Sequence, residues 1–554
     1  MHQTMMTFQP DTEVVVIGNG PAGISLSAFL SGWHPYYDNN ERHPDSFIDE
    51  NLRESSDTSL LEQDLSWYEA EYETRVIPSV SLYSDLYDRL MRPEATNVDA
   101  LNVYNPSCLR YKFRPQHAVS HVVLGDGEVG GSWNKYDDNM ATVSLSTWMD
   151  LPAFSLAEWM GGRSLLARLP AGVIREYMHE YVKRLHLTKN FVEFTSVTNV
   201  TKFCSNIDQK EYWRVRGHYA DGELFEITSK TVVIACGRSH YRRLEVEGEM
   251  NAMNVVYNAR EAQQLLHQQD DLSKACVSDE HSKSPVIVVG DGISAADAIR
   301  HCLSNQVPVV HVFRRTEKQL KGTMLSRLSS TIYPEYSKIF DLMVERTTDS
   351  LYRRADACSI RAINSNHTVL LEHQKTGCTE LIPYRCLCVC VGLRTELSML
   401  EDKHEFHTNY QSQQDPTLYA IGSAIGDHFV RYLIGGAFHV AQKLIHNQRK
   451  ERESTDDWFW MSTLNANSHG ANVANSEASS SNESINDEQT TDDEIAYANR
   501  LSKPFSYALK LPTRVRCKLW STFGNFNHCR LFPRRSCGVI TSTSPIEVHG
   551  NSNV

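Results

Sequence analysis

The sequence predicts an α/β protein with two nucleotide-binding halves and a polar tail, and three observations carry that prediction. Gly18-Asn19-Gly20-Pro21-Ala22-Gly23 follows the β-branched run 14–17 and opens a helix with an apolar face. Gly290-Asp291-Gly292-Ile293-Ser294-Ala295 repeats the arrangement after residues 286–289, about 270 positions later. Beyond residue 450 the chain turns polar, and its charge separates into an acidic stretch and a basic one. Strand, glycine turn and helix in that order bind a dinucleotide. Glycine lets the chain bend sharply and lets the backbone approach a pyrophosphate, while the helix N-terminus offers free N–H donors and the positive end of a dipole. One such turn has an ordinary tight turn as its rival explanation; two in the same context make two Rossmann-like domains. A bulky side chain at Gly20 or Gly292 would block the approach, whereas Ala295 stands where a third glycine serves only to pack helix on strand.

Composition sets the bounds. A chain of 554 residues accommodates two or three domains. Its net charge of -13 argues against a nucleic-acid-binding core. No apolar run approaches the ~18 residues of a membrane span, and residues 1–10 lack the basic and apolar regions of a secretory signal. A cytoplasmic protein without a span or signal peptide is therefore expected. The thirteen cysteines then read as thiols, none in a Cys-x-x-Cys pair. Cys386, Cys388 and Cys390 alternate, so they share one strand face. They read as buried structural thiols, since free cysteine packs as a small apolar residue. No metal site is expected: His117 and His121 are four apart but lack a carboxylate or cysteine partner.

The elements follow in order. Ala22, Leu26, Phe29, Leu30 and Trp33 form one helical face that ends near residues 32–35. The next strand is missing. Residues 34–117 are polar and rich in Asp, Asn and Pro, with helices expected at 60–71 and 81–91, and a strand returns only at 118–124. This insertion displaces the second strand of the first domain, leaving Asp126 as the candidate for the ribose-binding acid; Asp38 fits the usual count of ~20 but sits in a loop. A helix is expected at 171–185, short strands at 191–227, and a buried strand at 231–237 that returns to the cofactor edge. The second nucleotide domain covers 284–383, and the chain re-enters the first through 386–392 and 418–421 before a last helix at 435–447. The domains so read are 11–240 with its insertion, 284–383, the return 384–450, and the tail 451–554. Residues 451–500 carry eleven acidic and two basic side chains, too polar to offset the entropy of ordering, so the tail is read as disordered. From Lys503 onward eight basic residues face the single acid Glu547, a composition suited to recruiting a partner.

Arg314 and Arg315 end the run 308–313, where an NAD site presents a carboxylate; two guanidinium groups there suit the extra phosphate of NADP. The earlier motif, in the larger discontinuous body, is the flavin site. FAD with NADPH sends electrons to a disulfide or to oxygen. Residues 24–130 contain only Cys108, so the dithiol that a disulfide reductase places after its first helix is lacking. Oxygen activation needs no protein nucleophile.

These motifs carry a resemblance. The first glycine turn, Gly130-Gly131-Ser132-Trp133 and Gly290 through Asp297 resemble the flavin, Gly-Gly-x-Trp and NADPH motifs of class B flavin monooxygenases. Leu61-Glu62-Gln63-Asp64-Leu65-Ser66-Trp67, His121 to Gly125, Trp148-Met149-Asp150-Leu151-Pro152, Tyr333-Pro334-Glu335-Tyr336 and Gly426-Asp427-His428-Phe429-Val430-Arg431 resemble the oxidative stress-induced growth inhibitor family over residues 12–447. That resemblance implies an NADPH-dependent flavin monooxygenase that forms a peroxyflavin, oxygenates a soft nucleophile and takes part in regulating cell growth, survival and division. It further implies that Gly18, Gly20, Pro21 and Gly23 hold FAD, that Gly131, Ser132 and Trp133 pack beside the flavin, and that Gly426 and Asp427 meet its ribityl chain or a nearby amide. Gly290, Gly292, Ser294, Ala295, Arg314 and Arg315 would hold NADPH, with molecular oxygen and a small molecule or protein as the other partners. Catalysis is centred on the flavin, and His428 is the one side chain singled out beside it.

Two departures bear on that expectation. Residues 253–257 lack the histidine of the class B Phe-x-Gly-x-x-x-His core, and residues 144–148 lack the asparagine placed near the reactive flavin carbon. Both point toward uncoupled oxidation that releases hydrogen peroxide. Two other readings stand beside the monooxygenase: an amine N-hydroxylase, and a cofactor-loaded regulator whose tail recruits partners.

Overall fold

Residues 14–17 are an unbroken apolar run because the strand Thr12–Ile17 is buried there on both faces. In the computed structural model it pairs in parallel with His121–Leu124 on one side and with the second half of Leu224–Ile234 on the other. Phe191–Val192 extends this sheet past His121–Leu124, and Leu418–Ala420 adds a parallel strand beside residues 232–234. The first half of Leu224–Ile234 instead runs antiparallel to Glu211–Tyr219, which pairs with Thr195–Cys204. The structure describes residues 8–73, 81–93, 106–162, 167–274 and 284–468. All fall in one compact unit, Met1–Asn472, and no helix among them is long and apolar enough to cross a membrane. The basic stretch and most of the acidic one lie outside the described residues.

The insertion solves the missing strand differently from the sequence reading. Trp33–Tyr37 is a strand, but it leaves the main sheet and pairs antiparallel with Leu109–Phe113. His121–Leu124 takes the place beside Thr12–Ile17. Gly32 makes the exit: its φ is +103°, and a Cβ there would lie 2.5 Å from the Arg114 carbonyl oxygen. The helix expected at 60–71 starts only at Trp67, because the Ser59 hydroxyl accepts from the Leu61 N–H and Asp64 from the Ser66 N–H, local bonds that compete with a helix. Leu82–Met91 forms as expected behind an Ser81 cap. This helix docks on the C-terminal helix at Gly435, where a Cβ would lie 2.4 Å from the Ser84 Cα.

The second half is a five-stranded parallel sheet in the order Val255–Val256, Cys386–Val389, Val286–Val289, Val309–Phe313, Tyr352–Asp356. The return of the chain to the first sheet is thus later than the sequence suggested. Residues 386–389 are a central strand of the second sheet, not a re-entry into the first. A short apolar run fits the doubly buried middle of either sheet, so its composition did not tell them apart. Helices Ala259–Lys274, Ile293–Ser304 and Pro334–Met343 cover one face, with Cys386, Cys388 and Cys390 turned toward them. The antiparallel strands Cys358–Asn364, Thr368–His373 and Thr379–Pro383 cover the other.

The last helix is Val430–Ser468 rather than 435–447, and it runs through residues 451–468, which composition marked as disordered. Once a helix is nucleated on a packed core, each added residue contributes a hydrogen bond, so it extends into sequence that would not start one.

Candidate functional site

The two sheets meet at one cavity of about 1170 Å³, above the ~300–1,000 Å³ of a pocket for one small ligand. The first glycine turn forms one wall. Gly18 has φ +120°, and a Cβ there would lie 2.4 Å from the Ala235 oxygen; one on Gly23 would lie 2.0 Å from the Gly18 oxygen. At Gly20 the nearest atom would be the Gly131 Cα, 4.0 Å away. The back of the turn is therefore closed by backbone, and its front opens on the cavity. No side chain caps the helix Pro21–Leu30 at Gly20, so its first N–H groups remain available to an anion.

Three further segments complete this wall. Asn19 is buried; its Nδ2 donates to the Gly127 oxygen at 2.8 Å and its carbonyl accepts from the Gly130 N–H at 3.0 Å. Gly131, at φ +58°, would bring a Cβ within 3.0 Å of the Gly20 Cα, so the Gly-Gly turn packs glycine on glycine. Ser132 and Trp133 line the cavity, with Trp133 edge-on to Tyr136 at 5.4 Å. Asp126 lies just past His121–Leu124 on the same wall, exposed, with Lys135 Nζ 3.7 Å from its carboxylate. Asp38, the alternative acid, does not line the cavity; its N–H donates to the Cys108 oxygen at 2.8 Å.

Beside the first turn stand Cys236, Gly237 and Arg238 after the neighbouring strand, and Ser423 after the next one. His428, Phe429, Val430 and Leu433 lead into the C-terminal helix along the same side. Burial, with Arg238 adding to it, lowers the His428 pKa and keeps its imidazole neutral. Asp427 turns away. Its carboxylate accepts from Tyr410 at 3.1 Å and Ser84 at 3.3 Å, and neither it nor Gly426 lines the cavity. Burial pushes the Asp427 pKa up to about 6. Ser423, unlike Asp427, lines the cavity. It stands two residues past the run 418–421, with Gly422 between, and a hydroxyl there carries no motif.

The second turn is built differently. Gly290 has φ +124° and would place a Cβ 2.2 Å from the Cys390 oxygen, while at Gly292 nothing lies within 4 Å. Ala295 is buried against the sheet. His311 braces the turn from the neighbouring strand: one ring nitrogen lies 2.6 Å from the Gly290 oxygen and the other 2.8 Å from the Tyr352 hydroxyl. Burial lowers its pKa to about 4, so the ring is neutral, donating to the carbonyl and accepting from the tyrosine. Arg314 and Arg315 are exposed past Val309–Phe313, with Arg315 paired to Asp291. These turn residues and arginines do not line the main cavity. Ser294 does, together with Asp297, Arg300 and His301 from the same helix. The last three are one or two helical turns beyond Ser294, on the same helix face and outside the glycine motif. Burial raises the Asp297 pKa to about 6, and the Tyr336 hydroxyl donates to it at 3.1 Å.

The two halves are fastened beside the cavity. Arg168 bonds Glu335 at 2.6 Å, donates to the Ile332 and Thr142 oxygens, and stacks on Tyr333 at 4.5 Å. The Tyr333 hydroxyl donates to the Val143 oxygen at 2.6 Å. Tyr333-Pro334-Glu335-Tyr336 is thus a clasp around one arginine. Residues at the two departures noted in the sequence, Ser144 and Tyr257, both line the cavity.

Residues 167–444 match the family described as pyridine nucleotide-disulphide oxidoreductase. Over 457 residues the chain is 41% identical to an oxidative stress induced growth inhibitor homolog of Caenorhabditis elegans, covering 80% of this chain and 96% of that one. It is 30% identical over 495 residues to human oxidative stress-induced growth inhibitor 2, with 79% and 94% covered. A solved bacillithiol disulfide reductase from Bacillus cereus aligns with a TM-score of 0.49 and 13% identity over 79% of this chain and 99% of that one.

Proposed function

The chain belongs to the oxidative stress-induced growth inhibitor family, and from that premise we propose that it is an NADPH-dependent flavin monooxygenase acting on a soft nucleophile. It is an oxidoreductase with FAD and NAD(P)H as cofactors. The fit is geometric: each glycine turn is sealed behind, at Gly18 and Gly290, and open in front, at Gly20 and Gly292, which is the shape that admits a pyrophosphate. FAD held by Gly18, Gly20, Pro21 and Gly23 in the first cradle would supply the chemistry of accepting hydride from a nicotinamide and delivering electrons to oxygen. In this reading residues 11–240 and the chain after Val391 form the flavin half, and the second sheet with its helices forms the nicotinamide half.

The chain's own residues do the following. Gly18, Gly20 and Gly23 keep the turn free of side chains, and the helix that Pro21 opens presents the N–H groups after Pro21, which has none of its own, to the pyrophosphate. Asp126 accepts from ribose hydroxyls, and Ser423 replaces Asp427 at the strand end that faces the ribityl chain. Gly131, Ser132 and Trp133 close the wall beside the flavin. Neutral His428 offers a hydrogen bond without adding charge, and Met140, Phe429 and Leu433 exclude water from the same space. Gly290, Gly292, Ser294 and Ala295 form the second cradle, and Arg314 with Arg315 selects the extra phosphate of NADPH.

The observation that carries oxygen over a disulfide as electron acceptor is Cys108. It is the only cysteine in residues 24–130, it is 1% exposed, and it does not line the cavity. Burial pushes its thiol up to about 12, which makes it a poor nucleophile. The test is NADPH oxidation by the yellow holoprotein with separate quantitation of hydrogen peroxide and oxygenated product. Oxygenated thioether or amine supports the reading; NADPH oxidation that requires an added disulfide sinks it. The family's role in growth control enters the proposal through the same site: either turnover or cofactor occupancy is what the cell reads.

A further inference from the structure

Cys388 and Cys390 stand two residues apart at the end of Cys386–Val389, and their sulfurs are 3.5 Å from each other. Cys390 lines the cavity and closes the second glycine turn from behind. Its N–H donates to the Val289 oxygen at 2.7 Å, and its own carbonyl would lie 2.2 Å from a Cβ on Gly290. Cys388 sits deeper. The hydrogen bond to Cys390 and burial both hold its thiol well above the usual range, and either sulfur can donate within the pair. The Cys388 S–H can instead donate to the Asn258 carbonyl, 3.7 Å away. Residues two apart in a strand are separated by about 6.6 Å between Cα atoms, inside the roughly 4.4–6.8 Å that a disulfide spans.

We propose that Cys388 and Cys390 are a redox-active thiol pair, oxidised by hydrogen peroxide in the cavity to an intrachain disulfide that loosens the nicotinamide cradle. The Cys390 sulfur attacks peroxide, the O–O bond breaks, and a sulfenic acid forms with release of one water. The Cys388 sulfur then displaces the hydroxyl group, its proton leaves with it as a second water, and the sulfur–sulfur bond closes. Peroxide gains two electrons and each sulfur gives one. Closing the bond draws Cys390 toward Cys388, and the carbonyl that backs Gly290 moves with it. The step needs only peroxide, from any source, so it stands independently of whether the chain oxygenates a substrate.

The test treats full-length holoprotein with hydrogen peroxide, blocks free thiols with an alkylating agent and maps the peptides by mass spectrometry. A single peptide carrying both cysteines unalkylated and lighter by two hydrogen atoms is expected, and dithiothreitol restores both thiols. Cys388→Ala, which keeps the pocket apolar, leaves Cys390 as a sulfenic acid that a sulfenate probe captures. Oxidation of the wild type raises KM for NADPH about five-fold, reversibly and with kcat little changed; Cys388→Ala shows no such reversible rise. Full alkylation of both residues under conditions that oxidise the exposed Cys204 and Cys378 overturns the proposal, as does a bridge from either residue to Cys302 or Cys386. A disulfide that forms without changing KM refutes its link to the cradle.

Discussion

The two glycine turns share a sequence pattern but not a setting. The first is walled in by Ala235, the buried Asn19 and the Gly130-Gly131 turn, and it faces the cavity. The second has only the Cys390 carbonyl behind it and the neutral His311 beside it; its front is bare, and its arginines are exposed. A cofactor that stays bound is served by a wall made of several chain segments, because each segment must open before the cofactor leaves. A dinucleotide that must exchange at every turnover is served by an open edge. The same motif can therefore hold a resident group or a visiting one, and the difference lies outside the motif.

The hardest blow to that contrast is Gly18→Val. At φ +120° with backbone 2.4 Å away, it should cost ~3 kcal/mol or more and abolish flavin binding. Flavin absorbance per mole of soluble protein and the melting temperature measure it; a yellow, stable variant would mean that the first turn is not a wall. Gly290→Val should separate the two cofactors. Flavin content is retained, while anaerobic bleaching by NADPH slows by about a hundred-fold, the penalty of roughly 2.7 kcal/mol that a misplaced cradle imposes. Equal loss of flavin would erase the distinction.

Next in size, replacing both Arg314 and Arg315 by Ser should raise KM for NADPH by about 10- to 100-fold and leave that for NADH unchanged, the worth of charge-assisted bonds to one phosphate. Steady-state kinetics with both nucleotides decides it. The smallest effect is at Asp427. Its folded pKa of about 6 lies above the ordinary aspartate value of 3.8, so the folded state holds the proton more tightly and loses stability as pH rises from 4 to 6. Asp427→Asn removes that loss, so its melting temperature should gain on the wild type as pH rises across this window. A difference that stays flat with pH would show that Asp427 does not titrate there.

Much of the molecule was legible because the physics is local. A β-branched run, a glycine forced to positive φ and an amphipathic helix leave marks within a dozen residues, and both turns, the helices at 82–91 and 171–184 and the late strand at 121–124 were readable that way. What was not legible depends on partners far along the chain. Trp33–Tyr37 finds its strand 76 positions on, since Trp33 pairs with Phe113 and Tyr37 with Leu109. Residues 386–389 could have joined either sheet. Asp427 looked like a cofactor ligand by position, but Ser84 and Tyr410 claim its carboxylate. Ser423 was passed over because a hydroxyl at a strand end carries no pattern of its own.

One strand will report how the flavin half comes apart. Along Leu224–Ile234, residues 232–234 are flanked by Thr12–Ile17 on one edge and Leu418–Ala420 on the other, whereas residues 224–228 have only Glu211–Tyr219, and Leu224 is 80% exposed. Deuterium should therefore enter this single segment from its hairpin end within the early exchange times, while the amides at its other end keep their protons until the whole sheet opens.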